Sequence, residues 1–500
     1  MKKIILAGIA AMSLTMTSCD SYLDINDSPN SPSGAALTTS SIFPGAETAF
    51  ANVYGDYYRI TGGYFSQQYA QYFGTSNYID YSQFEMSATR SSGSYTTLNQ
   101  RCLSDLAIVA DKAAADGDKA TLLAVAVIRA GAYQAMVDAY GEIPYSEAMD
   151  ITNPAPKYDE GKDVYAGLIE ELTTAKQGVS PSDLVCTNFL FPSLTAEGWI
   201  KAANALLLRL YMRESGVVDV KSAVAALIAE DNFPTSDVCW EGCWADAEGK
   251  ANPFYNEDNF ANYGGSQKNV ILNVALSETM DKSNDPRMGA WFETNADGEF
   301  IGGVSGTNFS TAAKIGIGAG SFCRPKMKYN SPVYFITVAE INFFLAEYYA
   351  MTGNAGSAKQ YYEDAIKASF ATAGVDGAES VIAAYPWDNA NYKKNLGIQK
   401  WVALSGVNPY EAWCEMRRLG YPTFGTTTGA EIYNDGGATV SYNPELLEPG
   451  TLYTPYQVFA KVGANKLIQR WPYPSSSTSR NKNAPVMKDD HVSTPIFWAK

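Results

Sequence analysis

Apolar and polar residues recur with helical spacing over most of this chain. Between residues 51 and 73 the aromatic side chains fall on one stripe of a 3.6-residue period, which predicts a helix that packs them into a core. These residues are Tyr54, Tyr58, Phe65, Tyr69 and Tyr72. Similar patterns predict helices over residues 98–115, 120–140 and 161–177, and from Thr195 onward. Asp159 stands where its side chain can cap the helix that begins at residue 161.

The strongest internal pattern lies between residues 338 and 373. Small and aromatic residues share one face before Gly353 and continue on a second helix after it, as in a tetratricopeptide hairpin. We interpret residues 120–140 with 159–177, and 195–213 with 220–229, as weaker copies. Such hairpins bury their faces only by stacking. We therefore predict an all-α fold, with few short strands, in which tetratricopeptide-like hairpins over residues 95–230 and 335–420 stack in a superhelix.

Residues 233–334 do not share this helical pattern. They hold runs of Gly, Asn and Ser with scattered aromatics, and the glycines at 316–320 lack the spacing of a nucleotide-binding loop. A long irregular stretch inside a helical body is usually a functional element. We predict that it forms an irregular, loop-rich ligand-binding half of a single domain over residues 41–500, which ends in a C-terminal segment at 421–500.

The composition narrows the chemistry. The chain has 500 residues and a formal net charge of −16, which disfavours a nucleic-acid partner. Its single histidine, His491, excludes a two-histidine zinc site and argues against a Ser–His–Asp relay. The 33 tyrosines and 9 tryptophans offer flat apolar faces with a polar edge, which suit contacts with sugars.

The N-terminus indicates export. Lys2 and Lys3 precede an apolar stretch too short to span a membrane, and small residues then lead to Cys19. This arrangement resembles the lipobox of bacterial lipoproteins, in which the cysteine is acylated after cleavage; the alternative is an ordinary secretory signal with a chance cysteine. We predict a signal peptide over residues 1–18, and a lipidated Cys19 with a surface tether over 19–40. Removing Lys2 and Lys3 takes the net charge from −16 to −18.

Six further cysteines follow Cys19. Only Cys239 and Cys243 are close in sequence, so they form either a local disulfide or a pair of inert buried thiols. No EF-hand loop or other metal motif is present, and we expect no cofactor. A structural calcium site built from distant carboxylates and carbonyls would leave no motif in the sequence.

Several short motifs occur in a characteristic order. They are 22–26 (YLDIN), 141–148 (GEIPYSEA), 156–159 (PKYD), 284–288 (NDPRM), 339–343 (AEINF), 398–401 (IQKW), 417–422 (RRLGYP) and 470–474 (RWPYP). In this order they resemble the SusD/RagB family of outer-membrane lipoproteins, and the resemblance covers almost the whole chain. One departure is Ser477, where family members often carry a glutamate. We interpret Asp285 with Arg287 as an ion pair at a helix end. Trp401, Trp413, Arg417 and Arg418 are interpreted as packing or pairing residues.

The resemblance implies a function. Members of the family are surface-exposed lipoproteins, anchored in the outer membrane by their lipid, that sit as lids on a SusC-like TonB-dependent transporter. They capture oligosaccharides or polysaccharides, or in some members peptides, and pass them to the barrel. Their fold is helical, with four tetratricopeptide-like hairpins and an irregular half that carries the ligand site. We therefore expect a binding protein with no catalytic residues, rather than an enzyme.

Two segments combine aromatic faces with hydrogen-bonding groups outside clear helical stripes, at residues 74–84 and 240–268. We expect Tyr78, Tyr81, Trp240 and Tyr263 to supply stacking faces. Hydrogen bonds would come from Asn77, Asp80 and Asn262, and Tyr255 completes the candidate set. Any one of these aromatics could instead belong to the core.

The sequence is also compatible with two other functions. An exported, carboxylate-rich protein could be a glycoside hydrolase, although no short motif marks an acid–base pair among its 53 acidic residues. A pure interaction protein would bind only the transporter. The identity of the ligand is not readable from the sequence.

Overall fold

The computed structural model describes residues 37–72, 77–258, 269–307, 322–435 and 440–499. The predicted signal peptide, Cys19, most of the tether, the glycines at 316–320, Asn262 and Tyr263 lie outside the described residues. Helices dominate, as predicted for the fold class, and the described strands form only two-stranded sheets. The predicted division into domains stays a prediction.

The first half of the chain is a series of helices interrupted by two π-helical segments, Tyr54–Tyr58 and Leu98–Leu103. The helices are α1 Thr39–Val53, α2 Arg59–Phe65, α3 Ile79–Ser82, α4 Ser92–Thr97, α5 Ser104–Asp116, α6 Lys119–Tyr140, α7 Gly161–Ala175, α8 Ala196–Glu214 and α9 Lys221–Glu230. The helix α6 is long and apolar enough to cross a membrane, but 89% of its most apolar window is buried. It is therefore the central helix of the core among the residues described.

The second half alternates short helices with short strands before the long helices return. Its helices are α10 Pro253–Asp258, α11 Val274–Asp281, α12 Arg287–Trp291, α13 Val338–Met351, α14 Ala355–Ala373, α15 Ala378–Ala384, α16 Tyr392–Ser405, α17 Pro409–Leu419, α18 Gly429–Ile432 and α19 Ser475–Thr478. Short 3-10 turns occupy Pro444–Leu446 and His491–Ser493. The region predicted to be irregular thus holds short elements rather than a continuous helical repeat.

The described strands form five pairs, of which two join segments that lie far apart in sequence. In chain order they are β1 Tyr69–Gln71, β2 Val238–Trp240, β3 Val270–Leu272, β4 Phe292–Glu293, β5 Arg324–Pro325, β6 Val333–Ile336, β7 Thr423–Thr428, β8 Tyr433–Asp435, β9 Val440–Tyr442 and β10 Thr451–Thr454. The pairs β1–β3, β2–β6, β4–β5 and β8–β9 are antiparallel, whereas β7–β10 is parallel. In the first pair Tyr69 lies opposite Leu272. The two distant pairs are β1–β3 and β2–β6. The pair β1–β3 therefore joins the irregular half to the first helical segments, whereas β4–β5, β7–β10 and β8–β9 are each formed within one region of the chain.

The predicted hairpin at residues 338–373 is present as α13 and α14. Gly353 lies between them with a φ of 81°, a conformation that favours glycine. The Asn354 side chain then caps α14 by accepting a hydrogen bond from the Ser357 amide at 3.2 Å. The weaker copies correspond to α6 with α7 and α8 with α9, and α16 packs on α17 in the same way. The superhelical scaffold is therefore built from local helix pairs.

One core joins nearly the whole described chain. A continuous hydrophobic cluster runs from Ile42 near the start to Trp498 near the end. A smaller cluster fills the space between α13, α14, α15 and α16. Because the larger cluster contains residues of both the helical scaffold and the irregular half, the two halves share one interior.

Two local predictions were wrong. The helix expected to reach residue 73 ends at Phe65, because Gln67 has a φ of 53° and the chain then enters β1, so Tyr69 lies in a strand. The carboxylate of Asp159 does not cap α7. It instead accepts hydrogen bonds from the backbone amides of Tyr145 and Ser146, at 3.1 and 2.7 Å. In both places a contact distant in sequence replaces the local pattern.

Candidate functional site

A cavity of about 610 Å³ opens beside the predicted segment at residues 77–81. We call it the acidic cavity. Its walls come from α1 and the first π-helical segment, from Arg90 and α4, and from the chain around α10. The residues that line it are Asn52, Val53, Asp56, Tyr57, Arg90, Gly93, Ser94, Thr97, Glu248, Gly249, Pro253, Asn256 and Glu257. A volume of this size accommodates a small ligand or part of a chain molecule.

The π-helical segment Tyr54–Tyr58 places two of the lining residues. A π-helical turn inserts one extra residue into a helix and shifts the side chains that follow, which is why such turns are frequent at functional sites. Here Asp56 and Tyr57 reach the cavity, while Tyr54 and Tyr58 stay in the core at 3% and 1% exposure. The sequence gives the helical stripe but not this shift in register.

The charge of the described wall is negative. It carries the acidic side chains of Asp56, Glu248 and Glu257 and a single guanidinium, that of Arg90. Arg90 is already paired, because its Nε and Nη2 donate to the carboxylate of Asp80 at 3.0 and 3.2 Å. Its guanidinium also lies 5.2 Å from the ring centroid of Tyr81. The cavity therefore presents acceptors that are not neutralised by its own cation.

Asp56 titrates differently from an ordinary aspartate. Burial raises the pKa of its carboxyl well above the usual range, and the nearby charges of Glu257 and Asp258 raise it further. A protonated carboxyl can donate one hydrogen bond and accept another. Among the described residues, the buried Oδ1 of Asn256 beside it has no hydrogen-bond partner. The wall thus offers both donors and acceptors to a ligand rich in hydroxyl groups.

The predicted residues Tyr78 and Tyr81 lie behind this wall. Their rings stack on each other at 5.5 Å and are only 5% and 1% exposed, so they are too buried to stack on a ligand. The Tyr78 hydroxyl donates to Glu257 Oε1 at 2.5 Å, and Tyr81 packs against Arg90. Both rings therefore hold lining residues in position instead of providing the predicted stacking faces.

Asn77 and Asp80 also act through Arg90. The backbone carbonyl of Asn77 and the carboxylate of Asp80 both accept hydrogen bonds from the guanidinium. Burial raises the pKa of Asp80 although the charge of Arg90 lowers it. Residues 77–81 thus lie beside the cavity and hold Arg90 in position. Direct hydrogen bonding of Asn77 and Asp80 to a ligand stays a prediction.

Trp240 belongs to the core. Its side chain is fully buried against Phe50 and Phe335, and its indole Nε1 donates to Glu47 Oε1 at 3.0 Å. No face of this ring is free, so the stacking role expected of Trp240 does not fit the structure. Tyr255 is half-buried in α10, within two residues of Glu257. Among the predicted residues described, only the 77–81 segment and Tyr255 lie near the cavity.

For the residues described, the structure shows the state of Cys239 and Cys243, and it contains one group of side chains that could be considered as a metal site. Cys239 and Cys243 are free thiols, and burial raises their pKa values to about 12 and 11, which fits the inert alternative. Within the same residues, Asp138, Glu411 and Cys414 are grouped closely enough to hold a metal ion. However, the guanidinium of Arg213 bonds both carboxylates and would repel a cation there.

Comparison with known proteins identifies the family to which this chain belongs. Residues 33–440 match the SusD-like family model described as "Starch-binding associating with outer membrane". The chain belongs to this SusD-like family. No curated protein is similar enough to count as a match.

Solved SusD-like structures share the fold over nearly their whole length. A SusD homolog from Bacteroides uniformis is 21% identical and has a TM-score of 0.69, covering 91% of this chain and 99% of its own. A chitin-binding SusD homolog from Flavobacterium johnsoniae is 19% identical, with a TM-score of 0.68 and coverages of 91% and 98%. A SusD-like protein from Bacteroides thetaiotaomicron is also 19% identical, with a TM-score of 0.65 and coverages of 91% and 98%. At these identities the likeness establishes the tetratricopeptide-like fold.

Proposed function

We propose that this SusD-like protein captures glycans at the acidic cavity without cleaving them. The observation that carries the proposal is a 610 Å³ cavity whose described wall combines the ring of Tyr57 with amide, hydroxyl and carboxyl groups. Carboxylates and amides are the usual partners of sugar hydroxyls, and apolar ring and proline surfaces suit the C–H faces of a sugar. The family description, which names starch binding, supports the same class of ligand.

The charge of the wall restricts the glycan. The carboxylates of Glu248 and Glu257 face the cavity. Arg90 is occupied by Asp80, whereas the raised pKa of Asp56 favours its neutral form. A sugar that carries a carboxylate or sulfate would place its negative charge within a few ångströms of the two glutamates. The repulsion between like charges would make its binding less favourable. The proposed ligand of this cavity is therefore a neutral glycan.

The proposed cellular role follows from the N-terminus and the family. Cys19 would be acylated and anchor the protein in the outer membrane with its body exposed to the medium. The captured glycan would then pass to a SusC-like TonB-dependent transporter. The lipobox-like sequence before Cys19 and the family's association with the outer membrane support this role. Cys19→Ala is expected to move the protein from the membrane fraction to the soluble fraction.

The first test is glycan binding by the lipid-free chain, Asp20–Lys500. Affinity electrophoresis and a glycan array would be run on neutral plant, microbial and host glycans, with the same samples checked for released sugars. We expect binding to at least one neutral glycan class without release. Release would identify a hydrolase instead. Binding of peptides with silence on every glycan would identify the peptide-binding alternative.

A variant then places the ligand. Glu257→Ala removes an acceptor at the cavity surface, and a hydrogen bond to a charged group contributes about 1.5–3 kcal/mol. We expect the affinity for the neutral glycan to fall about tenfold or more. Glu241→Ala, which removes an exposed carboxylate outside the cavity lining, is the matched control. Equal affinity of Glu257→Ala and the wild type, with unchanged melting temperature, would contradict this location.

A further inference from the structure

A second cavity, of about 500 Å³, lies on the other side of α4. Gly93, Ser94 and Thr97 of this region line the acidic cavity, whereas Tyr95 and Thr96 line the second one. Its remaining walls come from the second π-helical segment, the loop after α6 and the chain around α19. We call it the proline-rimmed cavity, because Pro144, Pro154 and Pro156 are among its lining residues.

The walls of the proline-rimmed cavity are tied together by hydrogen bonds. Asn481 Nδ2 donates to the carbonyl of Pro156 at 2.7 Å, and Asn483 Nδ2 to that of Ala155 at 2.6 Å. The hydroxyls of Tyr158 and Ser477 lie 2.6 Å apart. These bonds fix the C-terminal loop against the loop after α6. A preformed cavity of this kind binds a ligand without the free-energy cost of ordering its walls.

Its charge is opposite to that of the acidic cavity. No aspartate or glutamate lines the described cavity, and its one charged lining residue is Arg480. Arg480 is exposed, and within the part of the chain that the structure describes its guanidinium forms no ion pair. In a chain of net charge −16, a wall with one unpaired cation and no anion favours an anionic group. The charges elsewhere act weakly here, since physiological salt screens exposed charges beyond about 8 Å.

The polar groups around Arg480 suit hydroxyls. The Oγ of Ser476 is buried in the wall, and it has no hydrogen-bond partner among the residues that the structure describes. Thr96 adds a hydroxyl, and Gln100 adds an amide from the second π-helical segment, Leu98–Leu103. Each cavity is therefore lined in part by a π-helical segment, a feature frequent at functional sites. The prolines supply rigid apolar surfaces beside these polar atoms.

We infer that the proline-rimmed cavity is a second saccharide site, which binds a sugar unit bearing a carboxylate, such as a uronic acid. The planar guanidinium of Arg480 pairs with the carboxylate, a geometry that arginine favours. Ser476, Thr96 and Gln100 bond the ring hydroxyls, and the prolines cover a C–H face. The inference rests on the proposed function for its class of ligand, but it uses a different cavity and a different charge.

The test measures binding of trigalacturonic acid to the chain Asp20–Lys500 by titration calorimetry, with a neutral galactose trimer as the comparison. We expect the acidic trimer to bind more tightly than the neutral one, and less tightly as salt rises from 50 to 300 mM. Arg480→Gln should weaken binding of the acidic trimer about tenfold or more. Lys482→Gln, an exposed cation of the same loop outside the cavity lining, is the matched control and should leave it unchanged.

Three results would overturn the inference. They are no binding of the acidic trimer by the wild-type chain, equal affinities of Arg480→Gln and the wild type, and equal losses for Arg480→Gln and Lys482→Gln. A triglutamate peptide that binds as tightly as the acidic trimer, and through Arg480, would also overturn it. The site would then recognise a carboxylate and not a sugar. Binding of neutral glycans that depends on Glu257 but not on Arg480 tests the proposed function separately, so the two can fail independently.

Discussion

Arg213 is the residue on which the buried charges of the scaffold depend. It lies on α8 with no exposed side-chain surface, and its guanidinium forms ion pairs with Asp138 at 2.6 Å, with Glu415 at 2.9 Å and with Glu411. Burial alone would raise the pKa of Glu411, but the charges of Arg209 and Arg213 hold it at about 2. Removing one member of such a network leaves buried charges uncompensated, which is costly.

We expect Arg213→Met, which keeps much of the volume and removes the charge, to lower the free energy of unfolding by about 3–5 kcal/mol. Chemical denaturation measures the loss. Lys201→Met is the control, because Lys201 pairs with Glu197 on an exposed helix face and its loss should change stability little. Similar effects of the two variants would show that burial of the network does not matter.

Glu47 is buried among three hydrogen-bond donors. Its carboxylate accepts from the amides of Phe189 and Leu190, at 2.8 and 2.7 Å, and from the indole of Trp240. Burial nonetheless raises its pKa from 4.5 to about 7. Between these values the folded state keeps a proton that the unfolded state has released. Glu47 therefore makes folding less favourable as pH rises through this window.

Glu47→Gln cannot ionise, so its stability relative to the wild type should increase as pH rises from 5 to 7, by at most about 1.4 kcal/mol per pH unit. Urea denaturation at several pH values measures this difference. Glu241→Gln controls for the loss of one acidic side chain at an exposed position. A difference between Glu47→Gln and wild type that stays constant with pH would contradict the raised pKa.

At the scale of elements, two helices approach each other so closely that only glycine fits between them. An ideal Cβ at Gly62 in α2 would lie 2.4 Å from Cα and 2.5 Å from N of Tyr410 in α17. These are backbone atoms, so no side-chain rotation relieves the clash.

Gly62→Ala should destabilise the protein by about 1–3 kcal/mol through overpacking, seen as a lower melting temperature. Gly45→Ala in α1 is the matched control. Its Cβ would have no neighbour within 4 Å, so alanine there should be neutral or add up to about 1 kcal/mol through helix propensity. Tolerance of Gly62→Ala equal to that of Gly45→Ala would mean that α2 and α17 can separate without cost.

At the scale of the whole molecule, the C-terminal segment closes the core. The family match ends at residue 440, yet Trp471 and Trp498 belong to the same hydrophobic cluster as Ile42. The indole of Trp498 donates to Asp138 Oδ1 at 2.9 Å, and its ring lies 5.1 Å from the guanidinium of Arg213. The last residues described therefore stabilise the buried network at the centre of the scaffold.

Trp498→Ala is expected to cost about 3–5 kcal/mol, since it removes a buried indole and leaves a cavity. Val486→Ala, at a side chain that is 91% exposed, should change stability by less than about 0.5 kcal/mol. Thermal and chemical unfolding of both variants measure the contrast. If Trp498→Ala unfolded like the wild type, the C-terminal segment would be a separate tail and not part of the core.

Local patterns in the sequence predict most of the long helices, the hairpin at 338–373 and the resemblance to the family. These features depend on residues that are close together in the chain, namely the helical periodicity, Gly353 and the short motifs. They can therefore be recognised from the sequence without knowledge of the fold. The same holds for Asp285 and Arg287, which form the predicted ion pair at 2.5 Å across one turn. The burial of Trp401 and Trp413 follows the interpretation of these residues as packing groups.

Tertiary packing, by contrast, determines which aromatic rings a ligand can reach and which charged side chains pair. Tyr78 and Trp240 are aromatic residues of the kind that stack on sugars, but both lie in the interior. Tyr78 bonds Glu257, which is 179 residues away in sequence, and Trp240 bonds Glu47, which is 193 residues away. The two π-helical shifts and the pairing of Arg90 with Asp80 likewise depend on packing. Burial and charge balance are properties of neighbours in space, and no local pattern specifies those neighbours.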